Sequence, residues 1–176
     1  MAAFRILVAL ALTAALVAPA GADAADRSAK RHRTAAATSP RASVPLLLST
    51  AGAIAGDYWG ASPCGGHVRV LAQLPLAAGL GPGTAAWVTF DSALGENNLA
   101  APPSSYSACT INFAGWRWPT AASMRRDWDM FCTTMTHELG HLLGHAHDST
   151  RGSVMAPVFA DRSSIVASCR GARPGR

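Results

Sequence analysis

Apolar positions along the chain change their period several times, and each change marks an element. Between Leu46 and Tyr58 the residues Leu46, Leu47, Ile54 and Tyr58 recur among small residues, with Trp59 beyond them, predicting a helix that Gly60 closes. His67 to Leu74 alternates as a strand does, with His67 an exposed strand residue. Gly79 to Gly83 reads as a loop, and Ala85 to Phe90 as a second strand. Asn98 to Ala101 is expected as a short edge strand stopped by Pro102 and Pro103, and Cys109 to Phe113 as a further strand. A long helix then begins between Thr120 and Asp127. Its buried stripe is Trp128, Phe131, Cys132, Met135, Leu139 and Leu142, which leaves His137 and His141 largely on the opposite side, facing a cleft. The pattern is α+β, with a mixed twisted sheet of about four strands.

The first residues follow another logic. Met1 to Arg5 carries a charge, Ile6 to Val17 is apolar, and small residues follow Pro19, which reads as a secretory signal peptide over 1–24. No later stretch is apolar for the eighteen or so residues that a membrane span needs. Residues 25–43 are rich in Ala, Ser and Thr, with Arg27, Lys30, Arg31, Arg33 and Arg41 against Asp26. They bury little and are expected as a disordered basic arm or short pro-segment, with electrostatic contact to an anionic surface as the alternative role. From Val44 onward nine Arg and no Lys face eight Asp plus Glu. The basic balance therefore belongs to the arm, and no nucleic-acid partner is expected. Residues 44–176 suit a single domain.

The chemistry concentrates in Thr136 to Asp148. His137 and His141, four apart on a helix, project from one face and can share a metal ion. Glu138 stands beside the ion without having to ligate it, where a general base for an activated water belongs. Gly144 permits the left-handed conformation that ends a helix, and the turn can return His147 as a third ligand. Three imidazoles leave the fourth tetrahedral position open, the mark of a catalytic zinc site rather than a structural one. His145 is either a supporting group or a competitor of His147, since it too lies four residues after His141; the glycine and the spacing to Met155 favour His147. Eight residues after His147, Ser153 to Pro157 places Met155 in a tight turn.

The string H-E-x-x-H-x-x-G-x-x-H with this V-M-x-P turn resembles the metzincin zinc peptidases, and the fillers Leu139, Gly140 and Leu143 resemble their matrixin branch. High Ala, Gly and Arg content suits a GC-rich bacterial genome, and with the signal peptide the expectation is a secreted bacterial member. The resemblance implies a zincin domain with an active-site helix and a short C-terminal helix. It implies one catalytic Zn2+ on His137, His141 and His147, Glu138 as catalytic base and Met155 as the Met-turn residue. No histidine lies between His67 and His137, so the second, structural zinc typical of matrixins is not expected. Asp91, Glu96, Asn97 and Asn98 are read as a solvated loop, with calcium as the lesser alternative. The family commonly has an aromatic residue where Ala156 stands, so a wider specificity pocket is expected. A substrate strand is expected along the edge near Asn98 to Ala101.

Cys64, Cys109, Cys132 and Cys169 form an even set, so two disulfides are the default, and three connectivities are open. Analogy with metzincins favours Cys64–Cys169 and Cys109–Cys132. Pro63-Cys64-Gly65 also resembles the matrixin pro-segment cysteine that blocks zinc, a lesser reading because it would leave an odd cysteine. The expected function is a secreted, extracellular, monomeric zinc endopeptidase acting on peptides or proteins. The alternative is a secreted, non-catalytic binding or adhesive protein that keeps the zinc site.

Overall fold

The first helix, α1 (Val44–Trp59), starts where Ser43 accepts the Leu46 N–H on its hydroxyl and Pro45 occupies the first turn, where no N–H is needed. Leu47, Ala51 and Ala55 follow at four-residue steps and are fully buried. Two alanines on that stripe let α1 lie close along the later active-site helix. This packing outweighs the helix-weakening Gly52 and Gly56, each of which costs about 1 kcal/mol relative to alanine. This is a computed structural model that describes residues 43–159, 162–171 and 174. The expected signal peptide, and the expected arm apart from Ser43, lie outside the described residues.

Three strands form one sheet among the described residues: β1 (Arg69–Leu74), β2 (Ala86–Asp91) and β3 (Ser107–Ala114). Their order is β1-β3-β2. β3 is central, parallel to β1 from Arg69 opposite Thr110 and antiparallel to β2 from Ala86 opposite Phe113. Being covered on both faces, it reads as a continuous buried run from Cys109 to Ala114 rather than an alternating one.

The expected fourth strand is absent: residues 98–101 form a turn. Asn98 accepts the Ala100 N–H on its side-chain oxygen and the Ala101 N–H on its carbonyl, so the local amide competes with sheet pairing and wins. Asn97 is spent similarly, bonding the N–H and the C=O of Phe90. Among the described residues the sheet thus ends at β2.

After β3 the chain caps α2 (Ala121–Arg126) with a reciprocal Thr120–Ser123 box. It breaks at Asp127, whose carboxylate accepts from Arg117 and from the Trp118 indole, and resumes as α3 (Trp128–Leu142). The helix expected from Thr120 onward is therefore two helices in series. Phe131 of α3 meets Phe113 of β3 at 4.7 Å and Trp118 at 5.2 Å, and these rings make the core between helix and sheet. A short α4 (Ala167–Gly171) packs back on α3. No helix among the described residues is long and apolar enough to cross a membrane.

The disulfides join Cys64 to Cys109 and Cys132 to Cys169, which overturns the expected pairing. The topology explains why. β1 and β3 run parallel, so Cys64, just before β1, comes beside Cys109 near the start of β3. Cys132 lies on α3, against which α4 brings Cys169. Cys64 is thereby unavailable as a zinc-blocking thiol. A non-reducing peptide map should recover these two linkages and no free thiol; either crossed pair would contradict the fold. Replacing Cys132 and Cys169 by Ser opens a bridge spanning 37 positions. It should lower unfolding stability by about 2–5 kcal/mol in a denaturant titration.

Candidate metal centre

His137 sits in the most enclosed part of α3, where every residue from Phe131 to Gly140 is buried. Its Nδ1–H donates to the carbonyl of Val154 at 2.8 Å. A carbonyl can only accept, so this bond assigns the ring tautomer and leaves Nε2 with its lone pair turned to the cleft. His141, one turn on, donates Nδ1–H to the carbonyl of His145 at 2.8 Å, with the same consequence. The two Nε2 atoms then face each other at 3.0 Å.

Burial depresses the His137 pKa to about 4, overriding the raising effect of its Val154 bond. Burial lowers that of His141 as well. At neutral pH both rings are therefore uncharged, and two lone pairs meet without a proton between them. Such an arrangement repels as it stands and becomes attractive around a cation. Carbonyl-anchored imidazoles are also the usual support of a metal-bound histidine. The residues present fit a zinc-like ion.

His147 completes the group: the ligating atoms of His137, His141 and His147 all lie within 4.8 Å of one another. Among the described residues this is the one cluster of ligating side chains close enough to hold an ion. In the loop after β2, the Asn97 and Asn98 side-chain oxygens accept the Phe90 and Ala100 N–H groups.

The return of His147 depends on how α3 ends. Gly144 has φ +88°, its N–H bonds to the His141 carbonyl, and the His145 N–H bonds to the Gly140 carbonyl, the paired closure of a Schellman motif. Any side chain there would also collide with Pro103, whose Cγ lies 2.5 Å from where a Cβ would be. The turn past His147 is tied in its own way. Hydrogen bonds from the Thr150 side chain, the Thr150 N–H and the Ser153 side chain hold the Asp148 carboxyl below the usual range, and Asp148 donates its own N–H to the carbonyl of Met155.

Met155 is buried in a turn closed by Ala156 N–H on the Ser153 carbonyl. Its sulfur fills the space beside Gly140, 2.6 Å from where a Cβ would be, so the Met turn reaches α3 between the two helical histidines. His145 lies outside this cluster; its ring stacks on Trp59 at 4.4 Å. Glu138 is buried on the cleft wall, and in the absence of a cation burial pushes its carboxyl up to about 8. A divalent ion nearby opposes that shift.

These groups open on a cleft of about 920 Å³. One side is β2 and the residue pair before it, Thr84 to Val88; the other includes Ala156, Pro157, Val158 and Phe159. Phe159 stands edge-on to His137 at 5.6 Å. Trp118, Met130 and Thr134 also line the cavity.

Several supporting groups escaped sequence reasoning. The Val154 and His145 carbonyls carry no residue-type signal. Pro103 and Trp59 lie far along the chain from the motif. Phe159 could have been found by extending the Met155 turn to its next aromatic residue.

The matrixin family model matches residues 83–168, a span that includes β2, β3, α2, α3, the three histidines and Met155. No curated protein and no solved structure matches the chain.

Gly144→Ala should cost about 1–3 kcal/mol of stability from positive φ and the Pro103 collision together. It should also weaken zinc retention on dialysis. An unchanged melting temperature would contradict the proposed role of this turn.

Proposed function

Because the chain is matrixin-like across residues 83–168, with all three clustered imidazoles inside that span, we propose that it is an exported zinc-dependent endopeptidase. The observation that carries this reading is the pair of carbonyl-anchored imidazoles whose free nitrogens converge with that of His147 beside a buried carboxyl. A purely structural zinc site has no use for an acid at that place. Two disulfides among the described residues support an oxidising destination. The signal peptide over 1–24 and the basic arm over 25–43 belong to the same proposal.

In this mechanism His137, His141 and His147 would hold the ion, each through a ring nitrogen. A bound Zn2+ supplies Lewis-acid polarisation of the scissile carbonyl and acidifies the attacking water. Glu138 takes the proton from that water on a carboxylate oxygen and delivers it to the leaving amine nitrogen. To begin the cycle its carboxyl would have to be ionised; burial pushes against this and a nearby cation would oppose that push. Met155, packed on Gly140, supports the helix from below.

The substrate strand belongs along β2, in place of the expected edge at Asn98 to Ala101. Thr84 has its carbonyl taken by the Trp116 indole, and Phe90 has its N–H and C=O taken by Asn97. The outer edge between them remains for a peptide, and β2 lines the cleft there. Main-chain pairing on that edge presents alternate side chains to the cavity. Ala156 contributes only a methyl group to the wall, which leaves room for a large side chain on the primed side of the bond.

Glu138→Gln should abolish peptide hydrolysis while zinc content stays at one per chain by metal analysis; retained turnover would sink the assignment of the base. Peptides with a bulky apolar P1′ residue should be cleaved with higher kcat/KM than matched peptides carrying Ala. A swing of about tenfold fits one or two extra buried methylenes. Equal rates would remove Ala156 as a determinant.

A further inference from the structure

Trp59, the last residue of α1, touches three separate parts of the metal centre. Its Nε1–H donates to the carbonyl of Thr136, immediately before His137, at 2.8 Å. Its Cζ2 lies 2.7 Å from where a Cβ on Gly140 would be, so the indole occupies the room that this glycine leaves on α3. Its face stacks on the His145 imidazole at 4.4 Å with an interplanar angle of 18°.

The third contact has a consequence for the ligands. His145 is the residue whose carbonyl takes the His141 Nδ1–H, and it lies between the helix end at Gly144 and His147. The segment from Gly144 to Asp148 is exposed and has left the helix; the closing bonds of the Gly144 and His145 N–H groups to the His141 and Gly140 carbonyls tie down its backbone start, but not the His145 ring. A stacked indole that is itself bolted to α3 through Thr136 adds a second anchor, on the ring of His145. It ties the orientation of His141 and the return of His147 to the same rigid helix that carries His137.

We propose that Trp59 is a positioning residue of the metal centre, which acts through its stack on His145 to hold the carbonyl that orients His141 and the return that delivers His147. This rests on the zinc reading above and adds a residue from outside the matched family span, 77 positions from its helix partner. The chemistry is that of an aromatic stack: the ring at position 145 matters as a flat face, not as an acid, base or ligand.

The test is the zinc dissociation constant, measured by competition with a chromophoric chelator, for the parent chain and for Trp59→Leu, His145→Ala and His145→Phe. Near-UV circular dichroism checks that each is folded. Trp59→Leu and His145→Ala should each weaken zinc about 10–100-fold, the usual cost of losing a group that orients a ligand. His145→Phe keeps the stack and should stay within about threefold of the parent. The double variant Trp59→Leu/His145→Ala should be no weaker than the worse single variant, because both remove the same stack.

Folded single variants with parent affinity would overturn the proposal and leave Trp59 as packing between helices. So would His145→Phe as weak as His145→Ala, which would transfer the effect to the imidazole itself. If Trp59→Leu fails to fold, the two His145 variants decide between these outcomes. A parent that takes up no zinc overturns the zinc reading instead. The stack is then judged in the metal-free chain by nitrogen NMR of His141, whose Nδ1–H tautomer should be kept in His145→Phe and lost in His145→Ala; its survival in His145→Ala would overturn the positioning role.

Discussion

Two uncharged imidazoles with their lone pairs 3.0 Å apart repel each other, and a chain free to relax would turn one ring away. Here neither can turn. Each ring is pinned through its far nitrogen to a backbone carbonyl, that of Val154 for His137 and that of His145 for His141. The surrounding structure serves those two carbonyls. Val154 is held by the turn that buries Met155 against Gly140, and His145 by the helix closure at Gly144 and the indole of Trp59. Repulsion stored in this way is released by a cation, so the architecture favours metal before any ligand bond is counted.

The same helix has to serve packing and chemistry. α3 is buried along most of its length, with Phe131 and Trp128 in the aromatic core, and yet it carries two cleft-lining histidines and a carboxyl. Small residues make this possible. Ala51 and Ala55 let α1 approach one flank, and Gly140 admits Met155 and Trp59 from different parts of the chain. A rigid α3 holds its ligands at fixed separation, which is what preorganised catalysis asks of a scaffold.

The cleft follows from the sheet being short. With residues 98–101 folded into a turn, the edge of β2 is left beside the histidines, and local side-chain bonds close it at Phe90 and Thr84 but not between. The disulfides brace the two ends of this assembly. Cys64–Cys109 joins the starts of the parallel pair, and Cys132–Cys169 ties α4 to the helix that carries the ligands. Both constrain the unfolded chain over tens of residues.

Local spacing carried much of the site. His137 and His141 at four residues, Glu138 between them, Gly144 as the helix end and Met155 in its turn are all relations within one helix and the following loop, where sequence distance converts directly into geometry. The main helices and β2 were legible for the same reason, through their apolar periods. The disulfide pairing, the limit of the sheet at three strands among the described residues and the partners of the histidines were not. The cysteine pairing depended on β1 and β3 running parallel, which no local pattern specifies. The turn at Asn98 was a contest between a side-chain amide and a strand partner, and the amide was nearer. Trp59 reaches Thr136 and His145 only because α1 lies along α3, a choice made by the burial of Leu47, Ala51 and Ala55. The sequence by itself determined which ligands stand one helical turn apart. Tertiary packing alone decided what orients them, because a carbonyl or an indole acts wherever the folded chain happens to bring it.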